Sequence, residues 1–218
     1  MQMAYAGLRS PFTSSVDGIS TPNTHFVDHS ERVLRGMRPD SIEELIEFGI
    51  TDVLIFKHQT KKEVSKEITE LKALGYGEEQ ITHIPFKWRQ FDSYKVACLQ
   101  TIKALRILKE VYQDSSRKVF FHCTVGEDRT GHLAGLWRML SDSWSKKDAF
   151  YNEMCKNGYS RGNSRKPYKV TNSIDRDLTP LFLHMATKIE NGELSLDNLT
   201  NSICSEKSFL IDTSYRCR

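Results

Sequence analysis

The stretch "FFHCTVGEDRTGHLAGLWRML", residues 120–140, decides how this chain is read. An apolar run, "KVFF" (118–121), leads straight into His122 and Cys123. A short loop with Gly126 follows, then Arg129, then the helical pattern "TGHLAGLWRML" (130–140). Strand, loop and helix in this order make an anion cradle from the backbone alone. Successive N–H groups of such a loop turn inward, and the first helical turn adds unpaired amides and the positive end of the dipole. The same field favours a thiolate. Free cysteine titrates near pH ~8.5, and surroundings of this kind bring it to roughly 3.5–7.5. Arg129 supplies a planar fork for two phosphoryl oxygens. Gly126 lets the backbone bend close to a ligand. Thr124, Val125, Gly126, Glu127 and Asp128 are the candidate binding residues of the loop, and Thr130 sets a hydroxyl where it can donate to the sulfur and assist its departure. If Cys123 were only a core thiol, the fixed offsets of His122, Gly126, Arg129, Thr130 and Gly131 would go unexplained.

Outward from this stretch, strands alternate with helices. "TDVLIF" (51–56) is a continuous apolar run, as expected of a strand buried on both faces. "ITHIPF" (81–86) is a second strand and 118–121 a third. "PDSIEELIEFG" predicts a short helix capped by Asp40 or Ser41, with Glu43 or Glu44 reaching back and Gly49 ending it. "KKEVSKEITELKALG" places Val64, Ile68, Leu71 and Leu74 on one face and stops at Gly75. Residues 93–112 predict a long helix with Val96, Leu99, Ile102, Ile107 and Val111 inward. Helices are also expected at 145–155, at 180–190 with Thr179 as cap and Pro180 in the first turn, and at 197–207. The expected fold class is α/β, a central, largely parallel sheet flanked by helices with a helical C-terminal part. Residues 1–30 read as an irregular arm, 31–190 as the main domain, and 191–218 as a tail packed on it.

Composition bounds the function. A chain of 218 residues with 39% hydrophobic and 27% charged residues is an ordinary globular protein. A net charge of +3 is too weak to argue a nucleic-acid partner. No apolar run reaches the roughly 18 residues of a membrane span. The N-terminus lacks the apolar core of a signal peptide, so the protein is expected to be cytoplasmic, or exported with its signal already removed. Five cysteines at irregular spacing make neither a disulfide framework nor a zinc site; only Cys204 and Cys217 are candidates to pair, and then only in an exported protein. No metal and no cofactor are expected, and a monomer is the default.

The pattern H-C-x5-R-T-G resembles the cysteine-dependent phosphatases of the protein-tyrosine and dual-specificity type. "VLRGMRPDSIEELIEFGITDVLIF" (33–56) is similar to the N-terminal part of small dual-specificity enzymes, where a turn of the form RG/RS-x-x-P leads into a short helix and a strand. The resemblance covers roughly residues 30–155. It implies a dual-specificity-phosphatase-like sheet, a phosphocysteine intermediate and no metal. It also implies a general acid, an Asp on a loop about thirty residues before the cysteine; Asp92 stands 31 residues before Cys123, and Trp88 resembles the tryptophan that hinges that loop, without the usual neighbouring Pro. Asp92 is also a candidate N-cap for the helix at 93–112. Asp128 is the rival acid, because an Asp just before the loop arginine occurs in some related phosphoinositide phosphatases and certain bacterial enzymes; otherwise it points away and pairs with a cation.

Cations gather in the strand-end loops: Lys57, His58, Lys61 and Lys62; Lys87 and Arg89; Arg161, Arg165, Lys166 and Lys169. Such a rim suits a small molecule carrying several phosphates, although surface lysines alone explain many of these charges. Rim and plan together resemble the bacterial PTP-like phytases, which implies an inositol polyphosphate substrate, inositol hexakisphosphate first. Glu127 and Asp128 depart from that pattern, since the loop there is usually less acidic. The alternatives are a phosphatase of phosphotyrosine, of dual specificity or of phosphoinositides, and, remotely, an inactive phosphate-binding module.

Overall fold

The computed structural model describes residues 9–88, 94–205 and 214–217. Five strands form one sheet in the order β1-β2-β5-β3-β4: β1 (His25–Phe26), β2 (Val33–Gly36), β3 (Asp52–Phe56), β4 (Ile81–Ile84) and β5 (Val119–His122). All pairings are parallel except β1 with β2, so the expected largely parallel α/β sheet is what the chain builds. Strands β1 and β2 have no counterpart in the sequence reading. They are two and four residues long, and "VLRG" interrupts its apolar run with Arg35, which hides the strand signal.

The helices are α1 (Glu43–Glu47), α2 (Glu63–Ala73), α3 (Tyr94–Gln113), α4 (Asp128–Ser141), α5 (Lys146–Asp148), α6 (Tyr168–Ser173) and α7 (Thr179–Glu190). Wider π turns continue α5 through Met154 and link α6 to α7, so 168–190 is one unbroken helical run. In β3 the side chains alternate between two cores: Leu54 and Phe56 pack with α3, α4 and α7, whereas Val53 and Ile55 pack with α1 and α2. Burying an aliphatic or aromatic side chain on either face contributes about 1.5–3 kcal/mol, so covering both faces fixes the register.

Several local expectations are corrected. In α2 the buried positions are Val64, Glu67 and Leu71, while Leu74 is exposed, because the helix ends at Ala73 and Leu74 is its C-cap. Val96 is exposed at the start of α3, whose inner face runs through Ala97, Cys98, Thr101 and Leu105. Neither Asp40 nor Ser41 caps α1: Ser41 donates to Glu43, and Glu44 instead accepts from the amide and hydroxyl of Ser20. Thr179 lies inside the helical run, its hydroxyl beside that of Tyr159, rather than at a cap. Among the described residues of the tail, the expected helix at 197–207 is a single 3-10 turn, Ser202–Ser205; 206 and 207 lie outside the described residues.

Cysteine pairing is also corrected. Cys204 bonds Cys98 of α3, and Cys217 bonds Cys155, so the tail is tied to the body at two points rather than to itself. Leu194, Leu199 and Ile203 enter the larger core, and Arg106 donates to the Leu199 carbonyl. No helix among the described residues is long and apolar enough to cross a membrane.

Candidate active site

Because β2, β3, β4 and β5 run parallel, their C-terminal ends lie along one edge of the sheet, where such folds collect their ligands. Cys123 follows β5 at that edge, and the loop 123–127 passes from it into α4. Three carbonyls of this loop, those of Cys123, Thr124 and Gly126, are bound by groups outside the loop or beside it. His122 Nδ1 donates to Cys123 O at 2.8 Å. The amide of Arg38 points at Thr124 O at 3.5 Å. Gly126 O accepts from the buried Arg35 guanidinium and from Asn23 Nδ2, the latter at 2.9 Å. A planar trans peptide sets each N–H opposite the preceding C=O, so the amides of Thr124, Val125 and Glu127 turn to the inner side of the loop.

Gly126 is required here. Its φ is +72°, and an added Cβ would sit 2.5 Å from the backbone of Gly36 and Met37. Arg35 is held in turn by Glu153, which also meets His25 at 2.9 Å and Arg138 at 3.4 Å. Burial pushes the Glu153 carboxyl up, but His25, Arg35 and Arg138 outweigh it and bring it down to about 2. The loop therefore rests on a charged network that stays ionised inside the fold.

Cys123 is 3% exposed and is the one free cysteine, the other four being bonded. Burial pushes its thiol up, and Asp128 adds a little. The Arg129 charge and the hydroxyl and amide of Thr130 outweigh both and bring it down to about 7, from an ordinary value of 9.0. Arg129 Nη2 donates to Thr124 Oγ1 at 3.1 Å. Its Nη1 is buried with no hydrogen-bond partner among the described residues, so it is free to meet an oxygen entering the loop.

Glu127 and Asp128 face away from this pocket. Glu127 is fully buried and accepts from Ser10 Oγ at 3.0 Å and Asn163 Nδ2 at 3.0 Å, with Lys166 Nζ also at 3.0 Å. Asp128 accepts from Lys166 Nζ and from the Ser160 amide at 2.9 Å. The Glu127 side chain is therefore no substrate contact; only its amide lines the loop. Both acids fasten 158–166 and the N-terminal segment to the back of the cradle, a role the sequence reading held open for Asp128 alone.

The basic rim is thinner than its sequence implies. Lys57 is fully buried and paired to Glu63 at 2.7 Å, which removes it from the rim as a free cation. Lys166 is spent on Glu127 and Asp128, and Arg161 lies 3.5 Å from Asp175. His58, Lys61, Lys62, Lys87, Arg165 and Lys169 are exposed. Arg89 and Asp92 lie outside the described residues. The sequence reading missed Asn23, Arg35, Arg38 and Glu67 around the loop; the one available signal was a charged residue inside an apolar pattern, at Arg35 and at Glu67. No cluster of His, Cys, Asp or Glu among the described residues is arranged to hold a metal ion.

No family model and no curated protein matches the chain. Solved structures do. A mutant form of Tk-PTP matches at 19% identity and a TM-score of 0.52, over 77% of this chain and 97% of that one. A putative DUF442 phosphatase from Shewanella putrefaciens matches at 12% identity and a TM-score of 0.50, over 79% and 93%. The catalytic core of the PP-IP phosphatase SIW14 from S. cerevisiae matches at 19% identity and a TM-score of 0.49, over 72% and 85%. At these identities the likeness establishes the fold: a mixed α/β fold of the protein-tyrosine and dual-specificity phosphatase type, with a central five-stranded sheet flanked by helices.

Proposed function

We propose that the chain is a cysteine-dependent phosphomonoesterase acting on inositol polyphosphates, inositol hexakisphosphate first among them. The observation that carries the reaction type is the pairing of one free, activated thiol with a buried guanidinium nitrogen that has no partner among the described residues, at a loop whose amides turn inward. The Cys123 thiolate forms an S–P bond as the P–O bond to the leaving alkoxide breaks. Arg129 and the loop amides carry the negative charge on the equatorial oxygens. Asp92 gives its proton to the leaving oxygen, then takes one from the water that attacks phosphorus. The S–P bond breaks, inorganic phosphate leaves, and Thr130 stabilises the departing thiolate.

The engagement of Asp128 with Lys166 and Ser160 supports giving the acid's role to Asp92. The polyphosphate reading rests on the exposed Lys61, Lys62 and Lys87, in the segments that follow β3 and β4 at the end of the sheet from which Cys123 emerges. The test is phosphate release from inositol hexakisphosphate, a phosphotyrosine peptide and a small aryl phosphate, with Cys123→Ser as control. Release from inositol hexakisphosphate with the control silent is the expected outcome. Turnover of the peptide alone would overturn the substrate, and no turnover at all would favour a binding module. Asp92→Asn should lower kcat by roughly 10²–10⁴-fold and remove the limb that falls as pH rises; if Asp128→Asn does so instead, the acid is misassigned.

A further inference from the structure

In β5, side chains alternate between the cores, so His122 falls on the same side as Phe120, facing α2. There it meets Glu67, which takes the inward position between Val64 and Leu71. Both are buried, at 0% and 3% exposure, and His122 Nε2 lies 2.8 Å from Glu67 Oε1. Neither Glu67 oxygen, nor His122 Nε2, has a directed hydrogen bond among the described residues, so the two groups meet as an ion pair with no other partner at these atoms.

We propose that Glu67 is a positioning residue for the Cys123 nucleophile: through His122 it fixes the Cys123 carbonyl and keeps a positively charged ring one residue from the sulfur. This deepens the phosphatase reading and rests on it. The proton count supports it. A carbonyl only accepts, so Nδ1 carries a proton toward Cys123 O. Burial works against the Glu67 charge, but His122, with Arg38 and Lys57 beyond it, holds the carboxyl below its ordinary range. A carboxylate 2.8 Å from Nε2 is met without lone-pair repulsion only by a protonated nitrogen, and that is the state the proposal assigns to the ring. The ring then bears a positive charge, with its negative partner on the far side from Cys123. In the proposal that dipole acts alongside Arg129 and Thr130, whose pull on the thiolate Asp128 opposes.

Stability alone gives little reason for this pair. A leucine at 67 would complete the apolar stripe from Val64 to Leu71, and buried ion pairs are often no more stable than apolar replacements.

The test is Glu67→Gln. The amide matches the carboxylate in size and can donate to a neutral ring, so Nδ1 still donates to Cys123 O while the charge is lost. The pH midpoint of Cys123 alkylation by iodoacetamide should rise by about one unit, an approximately tenfold loss of thiolate well below the midpoint. The acid limb of kcat/KM for an aryl phosphate should move with it, and Glu67→Asp should restore part of the shift. A folded Glu67→Gln protein with an unmoved midpoint would overturn the proposal. A second measurement needs no variant: nitrogen-labelled wild-type protein should show protons on both His122 ring nitrogens at neutral pH, and a single proton would overturn it equally. Alkylation needs no substrate. A shifted midpoint thus supports the role of Glu67 even if no phosphoester is turned over, and that failure would count against the phosphatase reading alone.

Discussion

Replacing Thr130 with Val removes the hydroxyl beside Cys123 while keeping the backbone amide and the side-chain shape. The thiol sits at about 7 against an ordinary 9.0. Two units correspond to about 2.7 kcal/mol of preference for the thiolate. The Thr130 hydroxyl is buried with no other hydrogen-bond partner among the described residues, so it is available to the thiolate. A hydrogen bond to a charged group contributes about 1.5–3 kcal/mol, so removing the hydroxyl should raise the midpoint by roughly one to two units. The sign follows from the direction of the shift: a lowered thiol is ionised above its midpoint, so reactivity falls as pH drops through about 7 in the wild type and through a higher pH in the variant. The assay is the rate of iodoacetamide alkylation against pH, with intact mass to count adducts. Cys98, Cys155, Cys204 and Cys217 are bonded, so only Cys123 can react. At pH ~7 the reactive fraction should fall from about half to about a tenth or less. A wild-type midpoint at or above 9, or a Thr130→Val midpoint still near 7, would refute the reasoning, because burial alone pushes the thiol upward.

Arg129→Lys separates charge from grip: the alkylation midpoint should move little, while kcat for an aryl phosphate falls by roughly 10²-fold or more, since an ammonium cannot reproduce the fork. Gly126→Ala forces a Cβ to within 2.5 Å of the Gly36 backbone at a φ of +72°. The backbone cost alone is roughly 1–3 kcal/mol, read as a lower urea midpoint together with lost turnover. Glu153 is lowered to about 2, so its contribution is present above the ordinary 4.5 and is lost as pH falls from there toward 2. The wild type should lose roughly 3 kcal/mol of unfolding free energy across that window, and Glu153→Gln should lose distinctly less; equal losses would show that the network around Arg35 does not hold the charge.

The parts of the fold that sequence revealed are those where one periodicity dominates. "TDVLIF" is buried on both faces and reads as such. Gly49 and Gly75 end α1 and α2 with positive φ, as their positions suggested. The failures have a common cause: tertiary partners replaced the local signal. Glu67 occupies an inward helical position because His122 awaits it, and Arg35 lies in β2 because Glu153 and the Gly126 carbonyl need a cation there. Hydrophobic patterning treats both as surface residues. Cys98 lies on the inner face of α3, and its partner stands 106 residues away, a pairing no local window can contain.

The site was legible for a different reason. Cys123, Gly126, Arg129 and Thr130 lie within eight consecutive residues, and their geometry is set by one strand, one loop and one helix start. What surrounds them is long-range, and there the sequence misled. Read as a string, Glu127 and Asp128 dilute the positive field of a phosphate loop. In three dimensions they turn backward to Ser10, Ser160, Asn163 and Lys166, and Lys166 neutralises part of their charge at contact distance. The field in front of the loop is then governed by what faces it: Arg129 and the amides of Thr124, Val125 and Glu127. Two acids in a phosphate-binding loop are compatible with anion binding because direction, more than count, decides which charges an incoming phosphate meets. The same pairing consumes one of the cations that had suggested a dense basic rim, so the acids and the thinned rim are two consequences of one contact.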